Sequence, residues 1–225
     1  MVANVVTGLR MFDKWIGAVG VYIVWVSELH PPIAAPLGDV NTERLTLRRF
    51  ERDDLDDLAA VFEHREVWQF PYGRGMTREE TDAFLDAQIS HWDQHGFGCW
   101  TAREIAGGGL IGYVGLSVPT FLPEILPAVE VGWRFAPAAW GNGYATEGAS
   151  AALHEAFTTM GLGWVCSLPQ ADNPRSGRVA ERLGMKLIRE VNVPANARRG
   201  EVVAQHYQID RDNWLAAHSR PPGRK

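Results

Sequence analysis

The run PAAWGNGYATE, Pro137–Glu147, lies between an apolar strand pattern, VEVGWRF at Val129–Phe135, and a long helical pattern, Gly143–Met160. Gly141 and Gly143 stand one residue apart in it. Glycine lets the backbone turn tightly and lets a ligand approach the amides with no Cβ between. The first amides of a helix have no internal partner and lie at the positive end of its dipole. A strand-to-helix turn built this way is a phosphate cradle. A lone G-x-G is also the mark of a plain strand–helix turn. A Walker loop requires Gly-x4-Gly-Lys-Ser/Thr, and the sequence has none. The dinucleotide fingerprint requires Gly or Ala three positions after the second glycine, where Thr146 stands.

Outward from this run the elements alternate. The following helix carries Ala149, Leu153 and Phe157 on one stripe, with Gly161 as its stop. Trp164–Leu168 reads as a strand, and Asn173-Pro174 opens a helix that Gly184 ends. Met185–Val191 and Val202–Ile209 read as closing strands. Upstream, Leu45, Leu47 and Phe50 mark a strand, and Asp53 or Asp54 starts a helix with Leu55, Leu58 and Phe62 on one face. Thr77 and Glu80 form a capping box before Leu85, Ile89 and Trp92. Gly98–Arg103 and Leu110–Val118 flank a hairpin turn, and the three prolines of Pro119–Pro127 make a loop. The order predicts a mixed α+β domain with a strand–helix–strand–helix core near 129–184.

The 225 residues suit one domain, and 46% hydrophobic with 22% charged residues excludes disorder. Lys and Arg total 22 against 27 Asp and Glu, a net charge of −5. That argues against a nucleic-acid partner, which wants a basic face, and suits cationic partners such as amines. Two cysteines, Cys99 and Cys166, make neither a disulfide framework nor a four-thiolate metal site, and point to a reducing, cytoplasmic setting. The apolar run Trp15–Val26 is twelve residues long, short of the roughly 18–20 that span a bilayer. It is signal-peptide-like in outline, but Asp13 interrupts the basic segment and no clean Ala-x-Ala site follows. A buried strand or helix, an interfacial anchor and a start codon placed too far upstream are the other readings of this run. Pro31, Pro32, Pro36 and Gly38 break the pattern, and a new one begins at Thr42. This divides the chain into an N-terminal extension (1–41), a functional domain (42–214) and a C-terminal tail (215–225).

Phe135–Glu147 (FAPAAWGNGYATE) resembles the coenzyme-A pyrophosphate loop of the GNAT superfamily of N-acetyltransferases, most closely the branch of ribosomal-protein alanine acetyltransferases. Asn173–Met185 (NPRSGRVAERLGM) and Thr42–Arg48 (TERLTLR) carry two further signatures at the expected distances, so the resemblance spans roughly residues 42–214. Ala138 departs from the Gln or Arg frequent in the wider superfamily, which removes a side-chain contact but not the amide cradle. The resemblance implies a mostly antiparallel sheet of about seven strands, flanked by about four helices. Two parallel central strands would splay into a V that holds pantetheine. It implies acetyl-CoA as co-substrate and no metal. Trp133, Arg134 and Phe135 would contact pantetheine through backbone atoms. Trp140, Gly141, Asn142, Gly143, Tyr144 and Ala145 would hold the pyrophosphate through amides, and Asn173 the pantetheine arm near Ser176. Arg175 and Arg178 would either face the phosphates or be solvated.

Acetyl transfer to an amine needs a proton acceptor, an oxyanion donor and a proton for the departing thiolate. Strand alternation puts Glu130, Gly132 and Arg134 on one face and Val129, Val131, Trp133 and Phe135 on the other. Glu130 is the candidate base, or an ordinary strand carboxylate. A backbone N–H around Gly132 or Trp133 is the candidate oxyanion donor. Ser176 is the candidate acid, or a helix-start residue bonded to the backbone, just as Asn173 is also a good N-cap. His91 and His95 are four apart, but Trp92 stands where a zinc hydrolase needs glutamate, so no metal is expected. No G-x-S-x-G elbow occurs. Trp68–Arg74 (WQFPYGR) either lines an acceptor pocket or is a packed loop. The expected activity is N-acetyl transfer to a small-molecule or peptide primary amine by a monomer or homodimer. The alternative is a degenerate acyl-CoA-binding sensor or scaffold, and a third reading is a nucleotide-binding domain of another kind.

Overall fold

A computed structural model describes residues 35–196 and 199–218; the apolar run Trp15–Val26 lies outside them. Eight strands form one sheet: β1 (Val40–Asn41), β2 (Leu45–Arg49), β3 (Cys99–Glu104), β4 (Leu110–Ser117), β5 (Glu130–Phe135), β6 (Trp164–Ser167), β7 (Lys186–Val193) and β8 (Val202–Asp210). Their order is β1-β2-β3-β4-β5-β6-β8-β7, and every neighbouring pair is antiparallel except β5–β6. The helices are α1 (Leu55–Phe62), the single turn α2 (Gln69–Tyr72), α3 (Arg78–His95), α4 (Tyr144–Thr158), α5 (Pro174–Arg182) and α6 (Arg211–His218). The expected arrangement is present, with one strand and two helices more than expected.

The helices form where the pattern places their ends. Thr77 Oγ1 accepts the Glu80 amide and the Glu80 carboxylate accepts the Thr77 amide, closing the capping box of α3. Asn173 caps α5, with Pro174 in its first turn. Successive strand residues point to opposite faces, and the two faces of β4 show it. Val114 and Leu116 join α4 residues Ala149, Ala152 and Leu153 in the main core, whereas Tyr113 packs with Phe50, Phe62 and Trp68 in a second core under α1 and α3. The sheet is thus a partition, with α4 on one side and α1 and α3 on the other.

The packed fold takes in residues ahead of Thr42. Leu37 lies in the main core and donates its amide to Gly96 O at 2.9 Å, Gly38 O accepts the Trp100 indole N–H at 3.0 Å, and Val40–Asn41 pair with Leu47 and Thr46. At the other end α6 runs through residue 214 to His218, with Trp214 buried.

Candidate active site

The register of β5 creates an opening. Its pairing with β6 is confined to Glu130↔Cys166, where the Cys166 amide donates to Val129 O at 3.0 Å. Past that rung residues 131–135 pair only with β4, from Val131↔Leu116 to Phe135↔Gly112, while β6 turns to β8. The two parallel strands therefore diverge, leaving one side of β5 without a ladder partner at Trp133, Arg134 and Phe135.

The glycine loop closes the wide end of this wedge. A tight turn over Pro137–Ala139 follows β5, and the Trp140 indole N–H donates back to Phe135 O at 2.8 Å. Gly141 and Gly143 have φ of +81° and +84°, a hand that side chains rarely tolerate, and Gly143 leads directly into α4. The first turn of α4 has no side-chain cap. Backbone of alternating hand ahead of a bare helix start presents N–H groups to an anion. Asn142 Nδ2 donates to Ala139 O, at 3.3 Å.

Arg44, in the β1–β2 turn, and Glu147, in the first turn of α4, brace this loop. Arg44 donates to Asn142 O at 2.8 Å and to the Glu147 carboxylate at 2.7 Å, and its guanidinium lies 4.8 Å from the Tyr144 ring centre. Glu147 also accepts the Thr42 hydroxyl at 2.6 Å and the Arg44 amide at 2.8 Å. Partial burial alone would raise its carboxyl; those bonds outweigh it and hold the carboxyl below the usual range. The Tyr144 hydroxyl bonds Glu104.

Across the wedge, Asn173 Oδ1 accepts the Ser176 amide at 3.3 Å and its Nδ2 donates to Ser176 Oγ at 3.1 Å. The two residues form one unit at the start of α5, as the capping reading required. Arg175 reaches the loop, its guanidinium 4.9 Å from the Trp140 ring centre; Arg178, on the same helix, is exposed.

Glu130 stands at the apex of the wedge, half-buried, opposite Ser117 and Cys166. Burial pushes its carboxyl up to about 7, partly offset by a hydrogen bond from the backbone at Leu168. A Cβ added at Gly132 would meet no atom within 4 Å, so the β5 face beside Glu130 is open. Burial pushes the Cys99 thiol up to about 12 and raises Cys166 as well, with the Glu130 charge adding to both, so neither supplies a thiolate nucleophile at neutral pH.

The Arg134 side chain lies on the Glu130 face of β5 and reaches the segment that follows α1. It donates to Val67 O and, at 2.9 Å, to Phe70 O, and stacks 3.9 Å above Trp68. Sequence reasoning assigned this residue's backbone only. The His91 and His95 rings lie 4.4 Å apart, tilted, with Phe97 edge-on to His91, and burial, with His95 nearby, pushes His91 down to about 4. Among the described residues no group of three metal-ligating side chains occurs. Nor is any helix among them long and apolar enough to cross a membrane.

A mixed sheet splayed at one parallel pair, with a bare helix start at its mouth, defines an N-acetyltransferase. The chain belongs to the acetyltransferase (GNAT) domain family, whose model matches residues 44–186. It is similar to the Bacillus subtilis protein YkkB, 32% identical over 157 residues that cover 68% of this chain and 90% of that one. It also resembles the FsC-acetyl coenzyme A-N(2)-transacetylase of Aspergillus fumigatus, 30% identical over 159 residues covering 64% of this chain and 63% of that one. In fold it matches a GNAT-family acetyltransferase from Bacillus anthracis with a TM-score of 0.64 at 23% identity, covering 77% of this chain and 99% of that one.

Proposed function

We propose that this chain transfers the acetyl group of acetyl-CoA to a primary amine by direct attack in a ternary complex. The observation that carries the reading is the wedge that opens at Glu130 and ends at the Gly141–Gly143 loop. The amides of Trp140–Ala145 hold the pyrophosphate, and the unpaired edge at Trp133–Phe135 takes pantetheine as an added strand. Trp140 and Arg175, already stacked, flank the phosphates. The name of the Aspergillus relative, which pairs acetyl coenzyme A with an N(2) acceptor, supports the co-substrate.

Glu130 takes the proton of the incoming ammonium, directly or through water. The amine nitrogen then bonds the thioester carbonyl carbon, while a backbone N–H near Gly132 or Trp133 stabilises the charge developing on its oxygen. As the C–S bond breaks, the attacking nitrogen loses its second proton, which passes through the Ser176 hydroxyl, oriented by Asn173, to the leaving sulfur. The acceptor enters over the open β5 face at Gly132 and is a small-molecule or peptide amine.

Thermal stability with acetyl-CoA, and with ATP and NAD as controls, tests the co-substrate. A ligand specific for the folded state adds about 2.7 kcal/mol at roughly a hundredfold excess over Kd. A rise selective for acetyl-CoA is expected, followed by amine-dependent thiol release. A rise with ATP or NAD instead, or none at all, overturns the reading.

A further inference from the structure

We infer that the Arg134 side chain is a positioning residue for the amine acceptor: it clamps the segment 67–72 to β5, so that the acceptor's wall and the strand bearing Glu130 hold one geometry. The inference rests on the reading that the acceptor enters on the Glu130 face.

Arg134 follows Glu130 and Gly132 along one face of β5 and sits opposite Tyr113 on β4. Its guanidinium does four things at once. Nη1 donates to both Val67 O and Phe70 O, the plane lies over the Trp68 indole at 3.9 Å, and Nε points to Tyr113 Oη at 3.4 Å. A planar guanidinium suits this combination of stacking and fixed donors, which a flexible ammonium does not reproduce.

The segment has little else tying it to the sheet by polar contacts. Its own backbone bonds are local: the Val67 amide to His64 O, the Trp68 amide to Arg65 O, and the Tyr72 and Gly73 amides to Trp68 O. Trp68 is 4% exposed, stacked on Tyr72 at 5.4 Å and edge-on to Phe62 at 4.9 Å. Fixing its carbonyls fixes where these rings stand relative to the open space at Gly132. The main-chain groups of Arg134 face Tyr113 on β4, whereas those of Trp133 and Phe135 face the wedge, so truncating the Arg134 side chain leaves the co-substrate edge in place.

Arg134→Ala and Arg134→Lys, compared with the unaltered full-length chain, test this. The measurements are acetyl-CoA affinity by calorimetry, steady-state kinetics with the best amine from a screen, and hydrogen exchange over residues 67–73. For Arg134→Ala the amine KM rises at least tenfold and kcat changes less than threefold. Acetyl-CoA affinity stays within twofold, and exchange over 67–73 accelerates at least tenfold. Arg134→Lys, which keeps the charge, shows smaller changes in the same directions and serves alone if the alanine variant does not fold. An amine KM within twofold of the unaltered chain overturns the inference whatever the exchange shows. So does a parallel loss of acetyl-CoA affinity. If the unaltered chain acetylates no amine, the transfer reading fails separately. Exchange then judges the clamp alone, and unchanged protection of 67–73 in Arg134→Ala overturns it.

Discussion

At the residue scale the proposed chemistry turns on Glu130. Its carboxyl is lifted to about 7 because burial disfavours the charged form. Only the ionised form accepts a proton, so kcat rises with pH through a limb centred near 7 and levels off above it. The same lift means that the folded state binds a proton more tightly than the unfolded chain, so stability declines as pH rises from about 4 through 7. Glu130→Gln removes both dependences. Its kcat falls by about 10²–10⁴-fold, while acetyl-CoA affinity holds; a pH–rate profile retaining its limb near 7 in the variant would clear Glu130 of the role. This residue and the two loop glycines are visible in the sequence because alternation and local spacing are enough to place them. The Asn173–Ser176 unit is visible for the same reason, being a three-residue capping relation. The side chains of Arg134 and Arg44 are not, since their partners lie 64–67 and 98–103 residues away. No local pattern encodes a contact that only the closed sheet creates.

At the element scale two glycines on the β4–β5 pair make opposite predictions. A Cβ at Gly112 would lie 2.2 Å from Arg134 O and 2.7 Å from Phe135 Cα, at a φ of +152°. Backbone cannot yield as a flexible side chain can, so Gly112→Ala costs about 2–4 kcal/mol, combining strain and overpacking. At Gly132 nothing lies within 4 Å. Gly132→Ala therefore keeps its unfolding free energy within about 0.5 kcal/mol, yet on the proposed route its methyl stands where the acceptor approaches, and the amine KM rises. Paired denaturation and kinetics check both; equal stability losses would refute the open face. The longer elements are legible because each repeats its apolar period several times, and their boundaries fall within a few residues of expectation. The two-residue β1, the four-residue α2 and the polar α6 carry too few periods to be read, and tertiary packing creates them.

At the scale of the whole molecule, the question is where the domain begins. Proline and glycine at 31–38 read only as a break, because the sequence shows an interruption of the pattern there but not what its residues pack against. In the folded chain the last residues of that stretch pack into the domain and lead into β1, the sheet's edge strand. Leu37 is 7% exposed in the main core, and Gly38 O satisfies the otherwise buried indole N–H of Trp100. The neighbouring β1–β2 turn holds Glu147, and through it the start of α4. Packing at residues 37–41 thus supports the Gly141–Gly143 loop, so the fold and the candidate site share this edge. Leu37→Ala in the full-length chain tests whether the segment belongs to the cooperative unit. Leucine-to-alanine changes in cores cost about 2–5 kcal/mol, and Leu37, still slightly exposed beside the sheet's first strand, falls in the lower part of that range, about 2–3 kcal/mol. For a chain of this size each kcal/mol lowers the melting temperature by about 2–4 °C, so the variant melts about 4–12 °C below the unaltered protein in a single transition. A melting temperature within about 1 °C of the unaltered value would mean that Leu37 rests on the domain without belonging to it, and that the cooperative unit starts near Thr42.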